Sequence, residues 1–557
     1  RPNLPKIVEM VEKGFELSEA SNTPVMLEVR IRACHVYGRF KTKTNIRPNF
    51  TLRDAMENPT RDVNRIVLPP ASYLHEKEKI EKRWPAAVKY IQDHKLNEFF
   101  DGDLSEIGIV MQGGMYNNTL RALELAGIAD AYGNSRVPLY VLNVAYPLID
   151  EEFVRFAAGK KAILIVEEGQ PEFIEQAANT YLRRADVQTK IHGKDMLPMA
   201  GEYTGAVLRE GLGKFVRAYE PRFAGGFGSA SEGDNRLKAA VAALDGKVHG
   251  RPPSFCTGCP ERPIFTAMKL VERELGPHHV SCDIGCHLFS ILPPFNIGAT
   301  TMGYGLGGAG AAAFNTKSGK RTIAVMGDGG FWHNGLASSV GNAVFNKSDN
   351  VIIVVDNGYS AATGGQDILS SHNPNKIRST QNSIEKAVRG VGVQWARTLT
   401  RTYDLKAMTS TLREALTTKE KGPKVIVAQS ECMLNKQRRV RPLMNKAIKD
   451  GQRVVRERFG VDSDTCTGDH SCIRLSGCPS LTIAPNPDPL RKDPVTKVID
   501  SCVGCGLCGE VSHAAVLCPS FYKASIINNP TRWDRFKHRV QTAVISYLQR
   551  RLTPAAA

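Results

Sequence analysis

The chain has 557 residues, of which 42% are hydrophobic, and it carries a formal net charge of +17. This length is too great for one hydrophobic core, so we expect three to five domains. No apolar run approaches the roughly 18 residues that a bilayer span requires, so no membrane span is expected. No signal peptide is recognisable and the first residue is arginine, so we expect a start that is processed, truncated or incomplete.

Cysteine spacing and charge narrow the class further. The 13 cysteines fall mostly in short-spaced groups, which favours metal ligation in a reducing cytoplasm over disulfides. The positive charge suits nucleic acid, an anionic membrane or an acidic protein. Much of it lies in the basic run 436–458, which we interpret as a solvated helical connector or a partner-binding stretch. Aromatic residues are not interleaved there, so nucleic acid is not expected.

The first hundred residues predict little regular structure. A helix is expected over 7–20 and a strand over 24–33, as the end of a domain (1–48) whose beginning is absent. Residues 49–104 are polar and punctuated by proline, and they predict a connector with a helix over 75–94.

An alternating pattern begins at Ile107 and predicts an α/β domain over 105–215. Apolar strands are expected over 107–112, 138–145 and 162–169, and amphipathic helices over 117–133, 150–159 and 171–185. Short apolar strands alternating with such helices indicate a parallel sheet covered on both faces.

A second α/β domain is predicted over 250–435. Its strands are expected over 322–330, 350–358 and 424–432, with a helix beginning near Asn334. We predict a basic connector over 436–460, a cysteine-rich domain over 461–525 and a C-terminal segment over 526–557 that is helical across 531–552.

Two polar turns follow neighbouring strands of this second domain. Gly327-Asp328-Gly329 ends one strand, and Asp356-Asn357 ends the next. Carboxyl ends of parallel strands form the ligand-binding edge of such sheets. Mg²⁺ takes about six oxygen ligands, and Asp328, the Asn357 side chain and the Tyr359 carbonyl are candidates for three. The pattern matches the thiamine diphosphate signature, with Gly327, Gly329 and the same three residues as its binding set; a structural turn is the alternative.

The cysteine-rich segment has the spacing of a two-cluster iron–sulfur protein. Each Cys-x2-Cys-x2-Cys run of such proteins takes its fourth ligand from a distant Cys-Pro. This rule predicts two ligand sets, one of Cys502, Cys505, Cys508 and Cys478, and one of Cys466, Asp469, Cys472 and Cys518. Asp469 occupies a cysteine position, so we predict that it ligates iron or leaves a three-iron cluster. A zinc ribbon or structural cysteines are the alternative.

These motifs resemble those of a known family. Residues 327–366 resemble the diphosphate domain of 2-oxoacid:ferredoxin oxidoreductases. Residues 255–265, 281–289 and the cysteine segment look most like the large subunit of indolepyruvate ferredoxin oxidoreductases. The resemblance implies a multidomain α/β thiamine diphosphate fold of the transketolase and pyruvate:ferredoxin oxidoreductase type. Within it, 105–215 would be the transketolase C-terminal-like domain, 250–435 the thiamine diphosphate and Mg²⁺ domain, and 461–525 a ferredoxin-like domain with two 4Fe-4S clusters.

The resemblance also implies an activity. It is the oxidative decarboxylation of an aryl-2-oxoacid such as indolepyruvate or phenylpyruvate, with coenzyme A, to an aryl-acyl-CoA and carbon dioxide. Electrons would pass through the clusters to ferredoxin, an acidic carrier that suits the charge of this chain. A non-catalytic electron-transfer subunit and a non-oxidative thiamine-dependent decarboxylase are the alternatives.

Further site residues rest on the same resemblance. Cys256, Cys259, Cys286 and Cys432 are similar to the ligands of a proximal 4Fe-4S cluster, with Cys282 as a substitute for Cys286. Buried free thiols or a zinc site are the alternatives.

The segment around Arg32 and His35 resembles the family's pyrimidine-side element, so Arg32 is a candidate for binding the oxoacid carboxylate. An exposed arginine at the end of a strand is the alternative. His333, beside the metal turn, is a candidate acid/base or simply a satisfied polar side chain. The family's activating glutamate precedes the Arg-x2-His element, and no such segment precedes Arg32. Either that half-domain is another polypeptide or the sequence is incomplete. The resemblance implies a small subunit as well, so we expect a partner chain in a hetero-oligomer with dimerised thiamine domains.

Overall fold

The computed structural model describes residues 2–47, 50–227, 232–245, 253–315 and 319–552, and the chain divides into two units, Arg1–His249 and Gly250–Ala557. The division falls in the interval left between the two predicted α/β domains. The finer predicted boundaries stay predictions. No helix in the described ranges is long and apolar enough to cross a bilayer.

The first unit begins with five helices and continues as an α/β sheet. The helices are α1 (Leu4–Ser21), α2 (Ile31–Cys34), α3 (Leu52–Glu57), α4 (Ala71–Glu78) and α5 (Trp84–Asp93). The sheet region contains β1 (Glu98–Phe100), β2 (Ile107–Gln112), α6 (Tyr116–Leu125), β3 (Leu139–Leu142), α7 (Asp150–Ala157), β4 (Ala162–Val166), α8 (Phe173–Arg184), β5 (Lys190–His192), α9 (Gly205–Tyr219) and α10 (Glu232–Leu244).

The five strands are ordered β1-β3-β2-β4-β5, and all pairs are parallel except β1 with β3. The central strands are buried along almost their whole length. Apolar clusters lie on both faces, as a doubly covered sheet requires. The predicted alternation of strands and helices over 105–215 is therefore present.

The predicted strand over 24–33 is wrong. Residues 23–30 have neither helix nor strand structure, and Ile31–Cys34 is a short helix. A strand needs a partner for its backbone N–H and C=O groups, and no strand in the described ranges pairs with these residues. Apolar β-forming residues alone do not supply that ladder.

The second unit is built on six parallel strands. Its elements up to the last of them are α11 (Arg262–Leu275), β6 (Val280–Cys282), β7 (Thr300–Thr301), α12 (Gly307–Phe314), β8 (Ile323–Gly327), α13 (Asp328–Gly330), α14 (Asn342–Phe345), β9 (Val351–Asp356), α15 (Ile384–Gly390), β10 (Trp395–Leu399), α16 (Leu405–Thr417) and β11 (Lys424–Gln429). The strand order is β10-β11-β9-β8-β6-β7. Side chains of α11 and α16 pack in the core on one face, and those of α12 and α15 on the other.

The helix after β8 begins earlier than predicted. It starts at Asp328 rather than near Asn334, and it continues through the π-helical segment Phe331–Gly341 into α14. Three glycines in four residues favour a turn on propensity alone. Tertiary packing overrides that preference, because Gly330 and Gly335 lie against the backbone around Gly305 with no room for a side chain.

The C-terminal part forms two strand–helix–strand halves. It comprises α17 (Met433–Lys449), β12 (Val454–Val461), α18 (Ser471–Ser476), β13 (Leu481–Ala484), β14 (Val495–Val498), α19 (Leu507–Val516), β15 (Phe521–Asn528) and α20 (Arg532–Leu552). β12 pairs antiparallel with β15, and β13 pairs antiparallel with β14. The predicted basic connector over 436–460 is therefore wrong over residues 454–460, which belong to the strand Val454–Val461 of the cysteine-containing region.

Candidate functional site

The two polar turns meet at one edge of the second sheet. β8 and β9 are neighbouring parallel strands, with Gly327 paired to Val355. Asp328 Oδ2 accepts the backbone N–H of Asn357 at 2.9 Å and that of Gly358 at 2.6 Å, while Oδ1 accepts the N–H of Gly329 at 2.9 Å. The carboxylate of one turn thus holds the backbone of the other, as the motif spacing indicated.

This edge carries two buried carboxyl groups. Asp328 and Asp356 are 1% and 2% exposed. Burial raises the pKa of the Asp328 carboxyl well above its ordinary value, and the Asp356 carboxylate raises it further. Gln429 donates to Asp356 Oδ2 at 2.8 Å, whereas Oδ1 has no hydrogen-bond partner of ordinary geometry in the described ranges. Two adjacent buried carboxyls with a spare oxygen suit a hard divalent cation.

The glycine turn is narrow. A Cβ atom on Gly329 would overlap the Tyr304 hydroxyl and lie 2.7 Å from Ser360 Oγ. Those two hydroxyls are themselves 2.8 Å apart. Only glycine fits, and its backbone N–H stays at the start of a helix, where a diphosphate is favoured. The residues present therefore fit both thiamine diphosphate and Mg²⁺.

The other residues predicted for this site lie around the turn. The Tyr359 N–H donates to Asn357 Oδ1 at 3.3 Å, so that oxygen keeps one lone pair for a further contact. His333 is exposed, and its ring centre lies 5.3 Å from that of Tyr304.

Arg32 and His35 belong to the first unit. Arg32 is exposed and pairs with Glu202, with Nη2 donating at 2.9 Å, and His35 is exposed as well. Arg32 is thus engaged with a carboxylate of its own chain. The roles predicted for these two residues stay predictions.

The cysteine set predicted to hold a proximal cluster consists of Cys256, Cys259, Cys286 and Cys432, and it is called the proximal group. Burial raises the pKa of the Cys286 thiol to about 12, and Glu261, Cys432, Cys256 and Asp328 act on it electrostatically. Burial likewise raises the pKa of Cys259, and Cys286 is among its charged neighbours. The group therefore adjoins the metal turn.

Cys282 stands apart from this group. It is buried, with Sγ 3.8 Å from Ser290 Oγ, and its charged neighbours are Asp283 and Glu261. Cys286, not Cys282, is the thiol that lies among the other three cysteines.

The central group is defined as Cys478, Cys502, Cys505 and Cys508. Burial raises the pKa of Cys508, and the other three members raise it further. Three of these thiols therefore lie near Cys508. That the four ligate one cluster stays a prediction.

The terminal group is defined as Cys466, Asp469, Cys472 and Cys518. Burial raises the pKa of Cys472, with Cys466 as a charged neighbour. Asp469 is half-buried and accepts hydrogen bonds from Thr467 at 3.1 Å and from Ser471. Burial raises the pKa of Asp469, but these hydrogen bonds outweigh it and leave that pKa below its ordinary value.

In the described part of the chain, no three His, Cys, Asp or Glu side chains are grouped so that they could hold a metal ion. A four-iron cluster is bound differently, because each cysteine ligates a separate corner of a larger body. Only the thiolate form of cysteine binds metal, and burial alone disfavours that charged form. The iron ions of a cluster would supply the positive charge that stabilises the buried thiolates.

Sequence reasoning missed several buried residues around the turn. Asp283 accepts the Gly305 N–H at 2.8 Å and pairs with the fully buried His287. His287 Nδ1 lies 3.9 Å from Glu261 Oε2, and burial raises the pKa of Glu261 to about 7. All three lie within the quoted cysteine motifs, where the cysteines alone drew attention. The only available signal was their position next to those cysteines.

Comparison with known proteins defines the class of this site. Residues 283–428 match the family model of the thiamine pyrophosphate enzyme C-terminal TPP binding domain. The matched segment begins at Asp283 and includes both polar turns. The sheet edge built by Asp328 and Asn357 is therefore similar to a thiamine pyrophosphate-binding site.

The wider chain is similar to one particular protein, indolepyruvate oxidoreductase subunit IorA. It is 27% identical to IorA of Methanothermobacter thermautotrophicus over 535 residues, which cover 92% of this chain and 75% of that protein. It is 28% identical to IorA of Thermococcus kodakarensis and to that of Pyrococcus abyssi, each covering 90% of this chain and 74% of the relative. The resemblance indicated by the motifs is confirmed.

Proposed function

We propose that this chain is the thiamine diphosphate-binding subunit of a 2-oxoacid:ferredoxin oxidoreductase acting on aryl-2-oxoacids. The observation that carries this proposal is the convergence of Asp328 and Asn357 at one sheet edge, within the segment that matches a thiamine pyrophosphate-binding domain. The similarity to indolepyruvate oxidoreductase subunits along nine-tenths of the chain supports the substrate class.

The residues of the turn have distinct roles in this proposal. Asp328, the Asn357 side chain and the Tyr359 carbonyl hold Mg²⁺, which binds the diphosphate. Gly329 keeps the turn narrow beside the Tyr304 and Ser360 hydroxyls, so the backbone at the start of this helix would lie close to the diphosphate. Bound thiamine diphosphate supplies the electron sink for loss of carbon dioxide from a 2-oxoacid. His333, exposed beside Tyr304, is placed to exchange a proton with substrate.

Cysteine groups distinguish this proposal from a non-oxidative decarboxylase. The proximal group adjoins Asp328, so a cluster there would accept electrons close to the cofactor. The central and terminal groups would then carry them onward through a ferredoxin-like domain made of the two strand–helix–strand halves. The products are an aryl-acyl-CoA, carbon dioxide and reduced ferredoxin, with coenzyme A as the acyl acceptor.

Partners follow from the same reasoning. A small subunit is expected to complete the complex, as the subunit naming of the relatives implies for those proteins. The formal net charge of +17 favours an acidic electron carrier as acceptor. Association with it should weaken as salt increases, because surface charges are screened beyond roughly 10 Å at 0.1 M salt.

Calorimetric titration with thiamine diphosphate and Mg²⁺ tests the binding step. Replacing Asp328 by Ala or Asn357 by Ala should weaken binding at least tenfold, about 1.4 kcal/mol. The matched control is Asn346→Ala, which should bind as the unchanged protein does, because Asn346 is an exposed residue in the turn that follows α14. Equal affinity in all four proteins would contradict the site.

Activity of the chain combined with its small subunit tests the reaction. Reduction of a viologen dye that depends on both indolepyruvate and coenzyme A is the expected result. Cofactor binding with decarboxylation but no dye reduction would indicate the non-oxidative alternative. Iron without thiamine binding would indicate an electron-transfer subunit.

A further inference from the structure

Arg262, the first residue of α11, has an unusual environment. Its side chain is completely buried, and it is the largest side chain in the described ranges with so little exposure. Nη1 donates to the Ser476 carbonyl at 3.1 Å, but no described residue accepts a hydrogen bond from Nε or Nη2. A buried guanidinium with unpaired donors is costly unless an anion lies next to it.

The surroundings of Arg262 connect two cysteine groups. It follows Cys259 of the proximal group by three residues, and Ser476 precedes Cys478 of the central group by two. Thr266, one turn further along α11, donates to the Leu475 carbonyl at 2.7 Å.

The loop of the proximal group also rests directly on the central group. Thr257 Oγ1 lies 3.2 Å from Ser480 Oγ. A Cβ atom on Gly258 would lie 2.5 Å from Cγ2 of Val503, which stands between Cys502 and Cys505 in the sequence. The loops of the two groups are therefore in contact, and the hydrogen bond from Arg262 to Ser476 joins the same two segments.

The electrostatics agree with this placement. Burial lowers the pKa of the Arg262 guanidinium, while Cys478, Cys505, Cys259 and Tyr403 raise it, and the net change is a rise. In return, Arg262 opposes the burial that raises the pKa of Cys505. The cation thus interacts electrostatically with thiols of both groups.

We propose that Arg262 is a positioning residue that donates from Nε and Nη2 to sulfur atoms of a cluster held by the central group and raises the reduction potential of that cluster. The inference rests on the proposed function, because it requires iron–sulfur clusters. Cluster thiolates are anionic acceptors, and charge-assisted hydrogen bonds to them are strong. Hydrogen bonds to the sulfurs and net charge are known determinants of cluster potential.

The positive charge of Arg262 favours electron transfer towards the central group. A fixed cation stabilises the reduced cluster, which carries one more negative charge, over the oxidised one. With clusters bound, one electron would leave a cluster of the proximal group, which would be oxidised, and enter a cluster of the central group, which would be reduced. Arg262 remains protonated throughout, so no proton moves. Because the proposed hydrogen bonds go to sulfur atoms of the central group, the potential of a cluster there would rise by more than that of a cluster in the proximal group.

A potentiometric titration followed by electron paramagnetic resonance, on the full-length chain as purified, tests the proposal. A Cys505→Ser variant identifies the signal of the central cluster. Arg262→Met should lower its midpoint so that the reduced-to-oxidised ratio at a fixed potential falls at least tenfold, which is 59 mV for a one-electron couple. Arg262→Lys keeps the charge but loses the planar fork, and its shift should be smaller. The control, Arg413→Met, removes an exposed arginine paired with Glu274 and should leave the midpoint unchanged.

An unchanged midpoint in Arg262→Met with full iron content would overturn the proposal. If Arg262→Met loses its iron, the iron content and midpoint of Arg262→Lys decide whether the proposal holds. Retained iron with a lowered midpoint supports the proposal, and loss of iron there too overturns it in favour of a purely structural role. An unmodified chain without iron would refute the iron–sulfur part of the proposed function itself, which is a different result from an unchanged midpoint.

Discussion

At the scale of single residues, the site depends on the burial of Asp328 and on the absence of a side chain at Gly329. Asp328 accepts three backbone N–H groups while almost completely buried, so it both shapes the turn and concentrates negative charge there. Gly329 lets the Tyr304 and Ser360 hydroxyls approach the backbone. A cation and a diphosphate are the partners that such a combination of charge and open backbone favours.

Gly329→Ala should disrupt this turn. The new methyl group would overlap the Tyr304 hydroxyl, and forcing extra volume into a packed site costs about 1–3 kcal/mol. Urea unfolding should show that loss of stability, and calorimetry should show loss of thiamine diphosphate binding.

Two further variants define the cause. Adding Tyr304→Phe to Gly329→Ala removes the overlapping hydroxyl and should recover part of the stability. Gly390→Ala is the control, because Gly390 ends α15 with no atom within 4 Å of the added carbon. Equal losses in Gly329→Ala and Gly390→Ala would refute the steric explanation.

At the scale of elements, the amino ends of three strands in the second sheet are tied by one charge cluster. Arg321 precedes β8, Asp349 precedes β9 and Lys424 begins β11. Lys424 is fully buried and pairs with Asp349, to which Arg321 Nε also donates at 3.2 Å. Arg321 further donates to carbonyls after α16, including that of Thr418 at 2.6 Å. The cluster fixes strand register at the end of the sheet opposite the candidate site.

Asp349→Asn should destabilise the protein by about 2–4 kcal/mol at pH 7, because it leaves a buried ammonium without its counter-charge. Burial raises the pKa of Asp349, but hydrogen bonds from Lys424 and Arg321 outweigh it and lower that pKa. A carboxyl whose pKa is lowered in the folded state stabilises the protein at pH values above its unfolded-state pKa, which is near 4. That stabilisation is lost as the pH falls through the lower folded-state pKa. The difference between the two proteins in chemical unfolding should therefore shrink below pH 4. Glu420→Gln, at an exposed neighbour, should show no such difference at any pH.

At the scale of the whole molecule, the cysteine-containing region and the thiamine-type sheet share one core. Leu475, Leu507 and Val511 belong to the same buried cluster as Phe255 and Phe265. Helix α11 contacts both α18 and α19, in addition to α16 on the sheet. The cysteine segment has the sequence pattern of a separate domain, but its own buried cluster in the described ranges is small and consists of Cys472, Leu481 and Cys508.

Separate expression of two fragments tests this interpretation. Residues 253–552 should unfold cooperatively, whereas 454–552 alone should not adopt a stable fold. Exposing three large apolar side chains costs about 1.5–3 kcal/mol each, which together approaches the whole stability of a small domain. Near-ultraviolet circular dichroism during heating distinguishes the two cases. A cooperative transition of 454–552 at the temperature seen for the longer fragment would contradict the shared core.

The sequence by itself determined the buried strands, which appear as apolar runs, and the short motifs at their ends. Continuous apolar runs identified β2, β4, β8, β9 and β11, because a strand buried on both faces has few other solutions. The spacing of Gly327-Asp328-Gly329 and Asn357 predicted their convergence, because carboxyl ends of adjacent parallel strands share one edge.

Only the tertiary structure decided what depends on distant partners. The strand expected over 24–33 failed for want of a neighbour, and Val454–Val461 became a strand because residues 521–528 pair with it. Asp283, Tyr304 and Arg262 acquire their importance from contacts with segments far along the chain, which no local pattern encodes. Burial then sets the energies, since an unpaired guanidinium or a pair of carboxyls is significant only where water has been excluded.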